Sequence, residues 1–191
     1  MMGGDLVSAA RRGWLGSVML FWTPIFVIIA LAVSLAGAIA LNSVAFLVLF
    51  FAALIADFVL GIIGVINLVL STRDLSQIYN EPGIWRYMRR FFALYIAGLI
   101  LTQIASALAP NPIAARGSVF LFIILNIPAA YSLRDAFKLL NKLTGITEFE
   151  DAGRDYWLGA WLSLILVGAF VIWYSYYVMI KAFGKLRAQA R

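Results

Sequence analysis

Long charge-free runs alternate with short charged segments along this chain, and the alternation predicts its elements. From Gly13 to Thr72, sixty residues carry a single charge, Asp57. A helix crosses the hydrocarbon core of a bilayer with about 20 apolar residues. This run is therefore long enough for two crossings, joined at the polar pair Asn42–Ser43. Three more charge-free runs follow, at 91–115, 117–133 and 156–180. The pattern predicts an all-α integral membrane protein with five transmembrane helices, over about 16–41, 44–70, 91–109, 114–133 and 156–181.

Local signals mark the expected boundaries. Asn80-Glu81-Pro82-Gly83 breaks the helix that leaves the second run, and Asn111–Pro112 is a cap followed by a first-turn proline. Thr147 and Glu150 have capping-box spacing for the last helix. Pro128 lies inside the fourth span, where neighbouring helices tolerate a kink. Arg11–Arg12 and the apolar run after them imitate a signal peptide, but the run exceeds the 7–15 residues of such a region. A retained first helix is expected.

Lys and Arg in the connecting segments set orientation. Two lie in the N-terminal tail (Arg11, Arg12), four in the 73–90 loop and four in the 134–155 loop. The opposite side receives Arg116 and, after five crossings, the tail with Lys181, Lys185, Arg187 and Arg191. This balance predicts a multi-pass protein of the cell membrane with a cytoplasmic N-terminus and cytoplasmic 73–90 and 134–155 loops. The basic tail runs against that rule.

An internal echo suggests organisation. Ser71, Arg73, Asp74, Asn80, Gly83, Ile84, Tyr95 and Gly98 recur as Ser132, Arg134, Asp135, Asn141, Gly145, Ile146, Tyr156 and Gly159. The echo predicts one leading helix followed by two repeated helical hairpins, 44–109 and 114–181, in a helical bundle. The segments Leu75–Trp85 (LSQIYNEPGIW), Thr144–Gly153 (TGITEFEDAG), Tyr156–Ala160 and Leu164–Gly168 resemble a largely archaeal family of polytopic membrane proteins, domain of unknown function 996. The resemblance covers roughly 65–183. It implies a small helical membrane protein and brings no activity or site residues.

Composition narrows the chemistry. Hydrophobic residues are 64% of the 191, charged residues 13%, and mean hydropathy is +0.96, which predicts one membrane domain over 1–191 with no separate aqueous domain. Cysteine and histidine are absent. Thiolate, disulfide, His-ligated haem and Ser–His–Asp chemistry are therefore excluded within the chain, and no cofactor is implied. The pI near 9.8 does not point to nucleic acid, because the basic residues are divided among membrane-flanking segments.

Candidate functional residues are few. Asp57 lies mid-span, where an ionisable group is a functional hypothesis by default. It sits on a helix face of small residues, Ala53, Gly61 and Gly64, which admit a close neighbour. Three readings stay open: a protonated carboxyl bonded to Gln103 or Asn126, a proton or cation site on a transport path, or a pair with a basic group on another subunit. Asn67 is a further intramembrane amide. Arg73 and Asp74 could clamp Asp135 and Arg134 across the repeat, or remain solvated interfacial charges. Glu148, Asp151 and Asp155 share a helix face and form a weak divalent-metal candidate, against their simpler role as acids at a helix start. Trp85, Arg86, Arg89 and Arg90 suit a lipid interface, and the tyrosines and tryptophans of the last run read as belts, with a quinone or lipid pocket as a lesser option. Gly98, Gly159 and Ser163 extend the small-residue packing positions, as do Ala30, Ser34 and Ala38. The expected function is non-catalytic association in the membrane, as a homo-oligomer or accessory subunit. The alternatives are a small transporter or channel using Asp57, or a membrane enzyme using loop carboxylates.

Overall fold

The computed structural model describes residues 2–41, 45–109, 111, 117–165 and 167–190, without the side chains of 2–4, 27, 38–41, 45–47, 49–51, 54, 57 and 58. Among the described residues the chain is all-helical: α1 (Met2–Leu41), α2 (Ala45–Ile78), α3 (Pro82–Ala107), α4 (Val119–Thr144), α5 (Thr147–Leu162) and α6 (Gly168–Gln189), with one 3₁₀ turn at Ser163–Ile165. Four helical segments are long and apolar enough to cross a membrane: Asp5–Gly37, Val59–Ile78, Pro82–Ala107 and Val119–Thr144.

The turn after α2 forms as its residues demand. Asn80 takes the left-handed conformation at φ 50°, which asparagine tolerates better than most residues. The Glu81 side chain then accepts from Gly83 N at 3.0 Å, and Pro82 opens α3 where its missing N–H costs nothing. Gly145 closes α4 at φ 71°. The capping box expected at Thr147 does not form. Ile146 occupies the cap position without a side-chain bond, and Glu150 accepts from Asn141 at 2.7 Å instead. The Asn111–Pro112 signal falls partly outside the described residues, and α4 begins only at Val119. α4 runs through Pro128, and α1 runs through Pro24.

The expected fifth span is corrected. Residues 156–181 are not one helix: the chain breaks at Ser163–Ile165 and returns as α6. Phe149 packs edge-on to Phe183 at 5.0 Å and Tyr156 to Tyr176 at 6.0 Å, a pairing that only antiparallel helices produce. Contacts at two levels also set α1 antiparallel to α2 and α4 antiparallel to α5: Gly16 meets Gly64, and Tyr156 donates to Asn126. Ser71 Oγ donates to Ala9 O at 2.7 Å, Tyr95 meets Phe122 at 5.4 Å, and Phe137 meets Phe149 at 5.6 Å. The ring closes where Trp173 Nε1 donates to Phe21 O at 2.8 Å and Phe21 stacks on Trp173 at 5.3 Å.

Among the described residues, both ends of the chain come together. A side chain at Gly184 would approach Trp14, and one at Gly13 would strike Phe183. The basic tail therefore lies at the same end as Arg11 and Arg12, not opposite them. Among the described residues every Lys and Arg, and every Asp and Glu but Asp57, falls at this end. Between those charged surfaces lies a close-packed core. Leu75, Ile84, Met88, Leu133, Phe137, Leu140, Phe149 and Phe183 are fully buried there. At the other end the order reverses, and Ile28, Val33, Val48, Ile55, Leu108, Ile124, Ile165 and Phe170 are all exposed.

At its loop members the internal echo does not occupy equivalent positions. Asn80 sits in a turn while Asn141 is inside α4, and Gly83 lies in the first turn of α3 while Gly145 caps the end of α4. A shared residue pattern thus falls on different parts of two hairpins.

Candidate functional site

Where α2 meets α3 the packing is open, and a cavity of about 310 Å³ lies between α1, α2, α3 and α6. Leu20, Thr23 and Pro24 contribute from α1, Gly61, Ile62, Val65 and Ile66 from α2, Phe92, Tyr95, Ile96 and Leu99 from α3, and Tyr176 from α6. The described lining holds no charged side chain. Its polar groups are two phenols and the Thr23 hydroxyl, which donates to Met19 O at 2.7 Å within its own helix.

Behind the cavity the phenols continue into a buried polar line. Tyr156, 2% exposed, donates to Asn126 Oδ1 at 3.4 Å, and Asn126 is itself 4% exposed. The Tyr156 ring lies 6.0 Å from the Tyr176 ring, and the Phe91 ring lies 5.8 Å from those of both Tyr156 and Tyr95. Four helices thus place Asn126, Tyr156, Tyr176 and Tyr95 in one cluster, framed by Phe91 and Phe122. The cluster offers neutral hydrogen bonds in apolar surroundings. Sequence reasoning read Tyr176 as belt or packing and met Tyr95 and Tyr156 only as members of the internal echo. The available signal was their position inside charge-free runs, away from any Lys or Arg.

Two glycines on α2 differ in purpose. A Cβ at Gly64 would lie 3.0 Å from Leu20 Cγ and 3.1 Å from Gly16 O, so this glycine makes the α1–α2 crossing. A Cβ at Gly61 would meet only Thr23 Cγ2, at 3.9 Å, and would face the cavity. Ala53 is half-buried, and the side chain of Asp57 lies outside the described residues. Asn67 donates to Ile63 O at 2.9 Å inside α2, and Gln103 is exposed on α3. Gly98 fits against Phe122 and Leu125. Gly159 meets Ile172 and Gly168 inside the α5–α6 hairpin, while Ser163 Oγ donates to Gly159 O at 2.8 Å.

The expected hairpin clamp is replaced by other partners. Asp74 pairs with Arg12 of α1 at 2.8 Å. Arg73 lies over the Trp85 ring at 5.9 Å, and Arg134 over Trp157 at 4.9 Å. Asp135 borders a surface hollow with Tyr87, Lys138 and Lys142. The ring planes beside these cations offer a nearer partner than a carboxylate across the bundle. Arg86 stands over Tyr87 at 5.6 Å, and Arg89 and Arg90 are exposed.

The acids at the start of α5 are divided among cations. Glu148 pairs with Lys185, while Asp151 and Asp155 both pair with Arg154, at 3.2 and 3.4 Å. No group of carboxylates able to hold a metal occurs among the described residues. The hydrogen bond from Lys185 holds the Glu148 carboxyl below its ordinary value of 4.5.

An uncharacterised protein of Methanocaldococcus jannaschii, MJ1644, is 23% identical over an alignment of 141 positions that covers 67% of this chain and 80% of that protein. No solved structure matches. The Leu75–Trp85 motif lies outside the segment that a family model matches, whereas the Thr144–Gly153 motif lies within it. That segment is residues 112–174, and over it the chain matches the family described as a protein of unknown function, DUF996, as its loop motifs implied.

Proposed function

We propose that this chain is an integral protein of the cell membrane, multi-pass and non-catalytic, that acts by association as a homo-oligomer or as the accessory subunit of a membrane complex. The observation that carries the reading is the reversal of burial along the bundle. One end has apolar side chains inside and charges outside, as in water, and the other exposes its apolar side chains on every helix. Such a surface is stable in lipid and would aggregate in water.

The lengths suggest how the chain sits. From Arg12 to the end of α1 is about 44 Å, and from Arg90 to the end of α3 about 26 Å, at 1.5 Å per residue. A hydrocarbon core is about 30 Å thick. α1 to α4 are read as crossings, and α5–α6 as a hairpin that enters and returns. The charged end, with both termini and the 73–90 and 134–155 segments, is assigned to the cytoplasm by its Lys and Arg.

Association is supported by the α1–α2 hairpin, whose far half exposes Phe26, Ile29, Leu31 and Leu35. The same stretch carries Asp57, sixteen residues from the nearest cation on its helix, Arg73. A carboxyl at that depth calls for a protein partner. The purified wild type is expected to migrate as a dimer or larger complex in mild detergent, and Asp57→Leu as a monomer. A monomeric wild type, from native membranes and without a co-purifying subunit, would sink the association reading.

The cavity supports a second reading, because Gly61 on its wall lies one helical turn from Asp57. Asp57 would then be the proton or cation site of a small transporter. A proton or cation flux in proteoliposomes that Asp57→Asn abolishes would favour it over association.

A further inference from the structure

We propose that the cavity between α1, α2, α3 and α6 is a binding site for a chain-bearing lipophile, whose uncharged oxygen accepts hydrogen bonds from Tyr95 and Tyr176. The inference rests on the bilayer placement proposed above and not on the association reading. A volume near 310 Å³ lies at the lower end of small-ligand sites, which run from about 300 to 1,000 Å³. Its walls are hydrocarbon apart from two phenols and a threonine hydroxyl already bonded to Met19 O. The described lining has no cation to select an anion and no carboxylate to select a base. What it selects is a hydrocarbon chain with a neutral acceptor.

Gly61 supplies an independent observation. Glycine inside a helix costs about 1 kcal/mol relative to alanine. Gly64 offsets that by letting α1 and α2 touch, whereas a Cβ at Gly61 would meet only Thr23 Cγ2, at 3.9 Å, and otherwise stand in the cavity. The glycine fits a space kept free for a ligand. Ile62 and Ile66 border the cavity and are also exposed, so the site opens sideways between α2 and α3, toward the lipid rather than the water. Tyr95 lies five residues from Arg90 and Tyr176 five from Lys181, about 7.5 Å along their helices. That depth is just below the charged end. The linkage oxygens of a bilayer lipid sit at such a level, and the carbonyl of a membrane quinone reaches it.

The test uses the full chain in maltoside micelles with a phosphatidylcholine bearing a diazirine on its acyl chain, and maps the photolabelled peptides. Saturable labelling of α1, α3 and α6 peptides is expected, kept in Gly61→Ala and lost in Gly61→Phe. Leu99→Trp fills the same cavity from the α3 wall and covers the case in which Gly61→Phe does not fold. Tyr95→Phe and Tyr176→Phe are each expected to weaken labelling roughly two- to tenfold, the range of one neutral hydrogen bond. Displacement of the probe by a decyl-substituted benzoquinone would assign a free carbonyl as the ligand. Undiminished labelling would assign the lipid linkage. Labelling that stays linear in probe and is unchanged by either wall variant overturns the proposal. Retention of the wild type in membranes washed with alkaline carbonate tests the bilayer placement separately, so a failure of labelling then counts against the cavity alone.

Discussion

A Cβ at Gly16 would lie 2.6 Å from Gly64 O and 2.9 Å from Leu68 N, both backbone atoms that cannot swing aside. Gly16→Ala is therefore expected to destabilise the fold by about 1–3 kcal/mol, the usual range for overpacking. Gly61→Ala, with only Thr23 near, is expected to be neutral or stabilising by up to about 1 kcal/mol. Denaturant unfolding in micelles compares the two, and equal losses would contradict the separate roles given to these glycines. Glu148 is a different case. Its carboxyl is held low by Lys185, so the folded state binds its proton less readily than the unfolded chain does. Its contribution is complete above the ordinary value of 4.5 and lost as pH falls through the lower folded value. Glu148→Gln should flatten the stability profile below about pH 4.5 and leave its shape above pH 6 unchanged. A profile as steep as wild type would remove Glu148 from the account. At this scale the sequence was partly legible. It identified Gly64 and Gly98 as close-packing positions, but its hairpin clamp failed, because which ring lies beside Arg73 or Arg134 depends on tertiary placement.

The α5–α6 hairpin shows where periodicity loses its meaning. Twenty-five uncharged residues at 156–180 have the length and composition of one crossing, and hydropathy reads the same whether such a run continues or folds back. The distinguishing features are small residues. Gly159 and Gly168 let the two helices meet backbone to backbone, and Ser163 bonds back to Gly159 O where the helix ends. Spin labels at Arg154→Cys and Lys181→Cys test the turn by electron double resonance. One continuous helix would separate these positions by about 40 Å. The hairpin should give a distance near the roughly 10 Å spacing of packed helices, lengthened by two label arms. A result near 40 Å would restore the single span. The turn at Asn80–Gly83, by contrast, was legible because its residues carry the conformation themselves, whereas Gly145 entered only through the internal echo.

Over the whole molecule, six segments distant in sequence build one core at the charged end. Neither 73–90 nor 134–155 holds enough apolar surface for a core alone, and sequence windows therefore gave each no more than loop status. Packed together with the starts of α1 and α3 and the end of α6, they bury Leu75, Met88, Phe137, Phe149 and Phe183 completely. The return of α6 also resolves the basic tail. Counted after five crossings, Lys181, Lys185 and Arg187 opposed the other cations; returned by α6, they join them. The proposed bilayer placement follows from this sorting of charge, with Arg116 the one cation in the sequence between α3 and α4. The same sorting makes sidedness the most direct test. The chain has no cysteine, so single substitutions report cleanly. Ser8→Cys, Gly117→Cys and Gln189→Cys would be exposed to a membrane-impermeant maleimide in sealed vesicles of both orientations. The account predicts that Ser8→Cys and Gln189→Cys label only in inverted vesicles and Gly117→Cys only in right-side-out ones. Labelling of Ser8→Cys and Gln189→Cys from opposite sides would contradict it.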